Sequence, residues 1–269
     1  MKLLVPLASL GLFLSSWGVA QHPLQEPGEV QVDPAFGPLC LMEAYPELLC
    51  QFRDNKIIWC DGTEMVYDDG LEKSYDERVS NPDLEDQVWQ RYPRSISNQP
   101  PSKNIDPGRI RYAPFFEKMY GAESKEVRRR LGDVKWLPST VNRTVRITTV
   151  NRIHEQLQKV SDELDLLPAA VKKVIKKSPG TFAWRTIQGT QRRSPHAYGI
   201  ALDIGVSQAD YWQWARRRKD GSIPFRNRIP MEIVEIFERH GFIWGGKWYH
   251  FDTMHFEYRP ELLDPNCMN

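Results

Sequence analysis

The chain predicts an α+β fold: a small, mostly antiparallel sheet with flanking helices, preceded by an N-terminal β-hairpin extension. Three observations predict it. Apolar residues recur at helical spacing after Thr149, and short apolar runs punctuated by Gly and Pro alternate with those helices. A separate meander-like stretch lies near the N-terminal end.

Lys2, the apolar run Leu3 to Leu14 and the small residues Gly18-Val19-Ala20 read as a secretory signal peptide, residues 1–20, cut after Ala20. No later segment approaches the roughly 20 apolar residues of a bilayer span. The expectation is therefore a secreted or periplasmic protein with no integral membrane segment after cleavage. Gln21, not Cys, follows the cut, so a lipoprotein anchor is not indicated. Cys40, Cys50, Cys60 and Cys267 then face an oxidising compartment, where an even number implies two disulfides with three possible connectivities. Cys50 and Cys60 flank a turn at Asp54-Asn55 and can lie across a hairpin; Cys40 would then staple to Cys267. No C-x-x-C pair supports a cysteine metal site.

Leu49 to Tyr67 reads as a β-meander with turns at Asp54-Asn55 and Asp61-Gly62. An acidic polar stretch, 68–86, follows, and the Pro-rich segment after it, 92–108, reads as an ordered surface loop or a linker. Ile153, Leu157, Val160, Leu164 and Leu167 place a helix over about 151–165, and a short helix follows Pro168. Pro179-Gly180 ends it, and TFAWRT (181–186) begins a strand. IALDIGV (200–206) is a second strand carrying Asp203 inward. Ser207 caps a helix over 208–218, Pro230 opens another to His240, and Gly241 stops it. A tight turn at 252–254 leads into a strand over 255–258.

Net charge is +1, so nothing pulls the chain toward nucleic acid. The basic run Arg216 to Lys219 reads as a solvated helix face with Trp212 and Trp214 packed inward. Asn142-Arg143-Thr144 is a glycosylation sequon of the kind common by chance. The segments that carry chemistry are SPHAYGIALD (194–203) and DTMH (252–255). Two imidazoles and a carboxylate, His196, His255 and Asp203, make a three-ligand zinc set with the fourth position left to water. Asp252 remains as a general base. His196 and Asp203 are seven apart, so the chain must turn between them, and Gly199 makes that turn cheap. His250 fits an orienting or substrate-touching role better than a ligand role. His154-Glu155 opens like HExxH, but residue 158 is Gln.

S-x-H-x-x-G-x-A-x-D, present as Ser194, His196, Gly199, Ala201 and Asp203, together with GFIWGGKW (241–248) and DTMHFE (252–257), resembles the zinc peptidases of the D-alanyl-D-alanine carboxypeptidase family. That family includes L-alanyl-D-glutamate endopeptidases and shares its fold with the Hedgehog signalling domain. The resemblance covers about Arg146 to Leu263. It implies Zn2+ on His196, Asp203 and His255, Asp252 as general base, and Arg185 as the guanidinium facing the substrate carbonyl or the anionic tetrahedral intermediate. Arg192 and Arg193 rival Arg185. Ser194, His250 and Glu257 are expected to orient ligands or touch substrate. The organisation expected is an accessory region over 21–140, stapled to and packed against a zinc peptidase domain over 141–269. The accessory region is expected to shape the groove and perform no chemistry. The function implied is hydrolysis of peptidoglycan stem peptides, by L-Ala-D-Glu endopeptidase or D-Ala-D-Ala carboxypeptidase action. A non-catalytic zinc-containing binding module on the same fold is the competing class, and Asp252, which such a module does not need, weighs against it.

Overall fold

The computed structural model describes residues 36–93 and 101–264. The expected signal peptide, Cys267 and part of the Pro-rich segment lie outside the described residues.

Helix α1 (Phe36–Ala44) leads into β1 (Leu49–Arg53), β2 (Lys56–Trp59) and β3 (Glu64–Val66), an antiparallel meander in the order β1-β2-β3. Asp54 and Asn55 both take positive φ, the requirement of the two-residue turn whose twist suits a hairpin. The Cys50–Cys60 disulfide crosses that hairpin, as the spacing predicts. Cys40 is also disulfide-bonded, and the expected pairing with Cys267 lies outside the described residues. Helices α2 (Tyr75–Ser80) and α3 (Leu84–Val88) each begin with a capping box, Ser74 with Glu77 and Asp83 with Asp86. The acidic stretch thus carries two short helices, whose N-termini its acids serve.

Helices α4 (Ala113–Tyr120) and α5 (Ser124–Arg129) precede a hairpin of β4 (Leu131–Trp136) and β5 (Arg143–Thr148). The expected boundary at residue 140 falls in the turn of this hairpin. Helix α6 (Ile153–Leu166) buries Leu157, Val160 and Leu164 on the face the periodicity marks, and α7 (Ala169–Lys172) follows Pro168. One apolar cluster runs from Leu41, Trp59 and Phe115 through Leu157 to Phe237 and Phe256, so residues on both sides of 140 share a core.

The sheet that carries the site has the order β6-β8-β7, from β6 (Ala201–Asp203), β7 (Phe242–Trp244) and β8 (His255–Tyr258), all antiparallel. Helix α8 (Met231–Arg239) covers one face, where Phe237 stacks on Phe256 with ring centroids 4.0 Å apart. Alternation along β8 therefore turns His255 and Glu257 to the other face. Gly241, with φ of 85°, ends α8 as expected.

Two expected elements are absent. TFAWRT is not a strand: Thr181 and Ala183 direct their carbonyl and amide to the His196 turn, and only isolated bridges, Gly180 with Asp203 and Thr186 with Arg193, remain. Residues 208–218 are not a helix beyond a short 3-10 turn at Val206–Gln208. The amides of Trp212 and Thr253 donate to the carbonyls of Phe251 and Asp210, which ties this segment to the 251–253 turn instead. Trp214 is accordingly 64% exposed rather than packed inward.

Behind the sheet, Arg259 is fully buried. Its Nε donates to Glu261 (2.5 Å), Nη1 to the Gly108 carbonyl (2.8 Å) and Nη2 to the Gln87 carbonyl (3.3 Å), while the Tyr45 hydroxyl donates to Glu261 (2.7 Å). One guanidinium thus joins the end of β8, α3, the 105–110 loop and, through Glu261, the residue that follows α1. Arg259→Ala leaves buried carboxylates uncompensated and is expected to cost about 3–5 kcal/mol in urea unfolding. Adding Glu261→Gln should cost less than the sum of the two single changes; additive losses would show that the pair is not coupled.

Candidate metal centre and its cavity

His196 sits on a 3-10 turn, Pro195–Tyr198, that ends at Gly199 with φ of 68°. A Cβ at Gly199 would lie 2.8 Å from Leu131 Cδ2, so both the handedness of the turn and the space demand glycine. The chain then enters β6, and Asp203 pairs in register with His255 on β8. Directly opposed residues of an antiparallel pair project to the same face, so this pairing brings the carboxylate to the imidazole. Asp203 Oδ1 lies 3.2 Å from His196 Nε2 and 3.2 Å from His255 Nδ1. The three donor atoms all lie within 4.8 Å of one another. The structure thus brings together the three residues that the sequence singles out.

The hydrogen bonds on the far side of each ring show what this cluster fits. The Thr181 carbonyl, 2.7 Å from His196 Nδ1, can only accept, so Nδ1 donates to it and Nε2 is turned toward Asp203. Glu257, 3.3 Å from His255 Nε2, orients the second ring in the same way. Two imidazole nitrogens and a carboxylate oxygen converging on one point can hold a cation once the nitrogens facing it are deprotonated, and the N,N,O set is of the kind that zinc takes in hydrolases. Without a cation, burial alone would lower the His255 imidazole, but hydrogen bonds to Asp203 and Glu257 outweigh it and raise it to about 9. Burial alone would raise Asp203; hydrogen bonds from His196 and His255 hold it well below the usual carboxylate range instead.

Asp252 stands on the turn before β8. Its amide donates to the Gly245 carbonyl (2.9 Å), and the His255 amide donates to its carbonyl (3.2 Å). A Cβ at Gly245 would lie 2.6 Å from the Asp252 carbonyl oxygen, which is why the GFIWGGKW segment needs glycine here. The Thr253 carbonyl accepts from Trp244 Nε1 (2.9 Å), fixing the turn from its other side. Asp252 Oδ1 is buried with no hydrogen-bond partner. Burial, with repulsion from Asp203, pushes its carboxyl up to about 6 against the attraction of His255 and His196. A carboxyl of that pKa, with one oxygen unpartnered, beside three metal-ligand atoms is placed to exchange protons near neutrality.

These residues line one cavity of about 280 Å³. Ser194 is buried at its edge, with its amide donating to the Arg185 carbonyl (3.1 Å). Arg185 lines the cavity, but from an exposed loop rather than a strand, and its guanidinium donates to the Thr186 carbonyl at 3.5 Å. Arg192 also lines it. Arg193 does not, and stacks over Trp184 at 4.0 Å. Glu257 is fully buried. Burial alone would raise it, but Arg111, hydrogen bonds from Arg111 and His255, and then Arg259 hold it well below the usual carboxylate range. His250 accepts no ligand role in this geometry: its Nδ1 meets Asp106 Oδ2 at 2.6 Å, and its amide donates to Asp106 Oδ1 at 2.8 Å. It lines the cavity, with Trp212 edge-on at 4.7 Å.

Sequence reasoning missed Asp106, Arg109 and Arg111, which reach the site from the Pro-rich segment and its continuation. Arg109 donates to the Tyr75 hydroxyl (2.9 Å) and lies 3.8 Å from Asp106; Arg111 Nε donates to Glu257 (2.8 Å). The available signal was the Arg109-Ile110-Arg111 alternation, in which the apolar residue is buried between two cations.

Residues 188–258 match the model of a family described as D-alanyl-D-alanine carboxypeptidase. The match supports the resemblance carried by the two motifs. It spans roughly a quarter of the chain and includes His196, Asp203, Asp252 and His255, but not Arg109, Arg111 or Arg185. No curated protein and no solved structure matches the chain.

The Asp252 carboxyl gives a signed stability expectation for metal-free protein. The folded state keeps its proton up to about pH 6, whereas an unfolded Asp releases it near 3.9, so stability falls as pH rises through that window. Asp252→Asn should therefore stabilise chelator-treated protein by about 1–3 kcal/mol at pH 8, with little effect at pH 3.5. Urea unfolding at both pH values checks this, and equal shifts would contradict it.

Proposed function

We propose that the protein is an exported zinc peptidase that hydrolyses peptidoglycan stem peptides, of the L-Ala-D-Glu endopeptidase type. The observation that carries the reading is the convergence of His196 Nε2, Asp203 Oδ1 and His255 Nδ1 beside Asp252, whose Oδ1 is buried without a hydrogen-bond partner. The family match over the same residues supports peptide hydrolysis. The Cys50–Cys60 disulfide supports an oxidising compartment, in keeping with a signal peptide over residues 1–20. In this reading residues 21–140 form an accessory region and 141–269 the peptidase domain. Among the described residues no helix is long and apolar enough to cross a membrane.

His196, Asp203 and His255 would hold the zinc, which when bound supplies Lewis acidity to a carbonyl and acidifies water. Asp252 takes the proton of the attacking water and returns it to the leaving amine, a role a carboxyl near pKa 6 can fill in both directions. Arg185 meets the negative charge that grows on the former carbonyl oxygen. Glu257 and the Thr181 carbonyl keep each imidazole turned to the centre. His250, held by Asp106, and Ser194 line the place where the peptide lies.

His255→Ala is expected to remove both zinc and hydrolysis. Asp252→Ala should retain about one zinc while lowering kcat by about 10²–10⁴-fold. Metal analysis of each purified variant and mass spectrometry of digested muropeptides check both. A terminal D-Ala released from intact stem peptides would replace the endopeptidase assignment with the carboxypeptidase one, which the family's description favours. Retained zinc with no cleavage of any stem peptide would favour the binding module.

A further inference from the structure

The basic run Arg216 to Lys219 takes no part in the chemistry of the metal-ligand cluster. Residues 210–228 carry six cations against two carboxylates, a net charge of +4 in a chain whose net charge is +1. All six cations are exposed. Arg228 pairs with Asp210 at 3.1 Å, and Arg217 lies over the Trp212 ring at 5.9 Å and donates to the Gly221 carbonyl at 3.4 Å. Arg216, Arg218, Lys219 and Arg226 have no side-chain hydrogen bond and no ion pair among the described residues.

The segment is anchored beside the hydrolytic cavity. Tyr211 bridges to Asp252, the Trp212 amide donates to the Phe251 carbonyl (2.9 Å), and Phe225 meets Phe251 edge-on at 5.3 Å. Between these anchors the chain reverses at Gly221, with φ of 81°. There the Arg218 amide donates to the Ser222 carbonyl (2.9 Å), and the Ser222 amide to Asp220 Oδ1 (2.9 Å). A cavity of about 330 Å³ is lined by Arg216 and Arg226 together with Tyr211 and Trp214, which also line the cavity of the metal-ligand cluster. The carboxylate that lines it, Asp210, is already met by Arg228.

Like charges held side by side repel, and a ligand carrying repeated negative charge relieves that repulsion and releases counterions. The shape favours a chain over a membrane. Two of the unpaired arginines line a hollow, and Trp214, 64% exposed, is the one large apolar side chain that the segment leaves strongly exposed. Interfacial binding buries a whole apolar face instead. Single-stranded nucleic acid is disfavoured by the same count, since successive bases need successive aromatic platforms. Trp212 offers none, because Arg217 and His250 lie against it.

We propose that residues 214–228 form a docking surface for a linear anionic polymer of the cell envelope, which lies along Arg216 and Arg226 and keeps the hydrolytic cavity beside its substrate. The polymer's place in the envelope rests on the exported, hydrolytic reading above; the recognition of repeated charge does not. Phosphodiester and carboxylate polymers share this chemistry.

The full-length protein is titrated by calorimetry with poly(glycerol phosphate) and with poly(galacturonic acid), at about 50 and 200 mM salt. At least one polymer should bind at the lower salt and lose affinity on the order of 10- to 100-fold at the higher, as about four neutralised charges require. The polymer that binds more tightly identifies the charged group. A variant combining Arg216→Gln, Arg218→Gln, Lys219→Gln and Arg226→Gln should bind on the order of 10-fold or more weakly at low salt and lose most of the salt dependence. A control removes the same charge from exposed positions on α5, β5 and α6, as Lys125→Gln, Arg129→Gln, Arg143→Gln and Lys159→Gln, and should keep most of the affinity. The first variant relieves repulsion, so it should melt no lower than its parent and cleave a short soluble stem peptide with unchanged kcat/KM. If it does not fold, Arg216→Gln and Arg226→Gln taken singly should each lose part of the affinity. No binding of either polymer at low salt, or an equal loss in the control, overturns the surface. Tighter binding to phosphatidylglycerol vesicles or to a single-stranded oligonucleotide than to both polymers overturns it too. If the unmutated protein cleaves no stem peptide while polymer binding follows the expected pattern, the hydrolytic reading falls and the surface stands.

Discussion

The fully buried carboxylate of Glu257 is the group on which the rest of the structure depends. It faces the metal-ligand cluster through His255 Nε2, the 105–112 segment through Arg111, and the core behind the sheet through Arg259 at 3.6 Å. From Arg259 the chain of charges continues to Glu261 and the hydroxyl of Tyr45, the residue that follows α1. A lone ion at such depth would be intolerable, so each member requires the next. The same requirement fixes His255 in one ring orientation and so defines which nitrogen meets Asp203.

That chain of charges also explains how a short three-stranded sheet can hold a site rigidly. Three strands of three or four residues offer few ladder hydrogen bonds and little stiffness of their own. Rigidity comes instead from close approach on both sides. Gly199 and Gly245 let the His196 turn and the Asp252 turn sit against neighbouring atoms, while the Thr181 carbonyl and Trp244 Nε1 fix those turns by single directed bonds. The backbone of 180–183 is used to orient a ligand, which is why it forms no strand.

The site is electrostatically unbalanced in a consistent sense. The Asp203 carboxylate of the cluster is held ionised by imidazoles, burial raises the Asp252 carboxyl to about 6, and the cavity wall is rich in arginine. Such an arrangement favours a cation at the centre and an anion beside it, a common condition for chemistry in which negative charge develops during reaction.

The sequence by itself determined the local features: the meander and its Cys50–Cys60 bridge, the helix over Ile153–Leu166, the helix ending at Gly241, and the strand opening at His255. These follow from turn residues, capping and apolar periodicity, which act over a few residues. It also marked His196, Asp203, Asp252 and His255, because two short motifs carry them with fixed spacing. Only the tertiary structure decided the rest. It placed Arg109 and Arg111 in the cavity from the continuation of a Pro-rich segment with no motif, set Asp106 against His250, and joined Glu257 to Arg111 across 146 positions. It unmade the expected helix over 208–218, whose backbone bonds go to residues 251–253, and the expected strand of Arg185. The physical reason is the same in each case: a backbone group or a buried charge takes whichever partner the fold brings to it, and that partner lies far away in sequence.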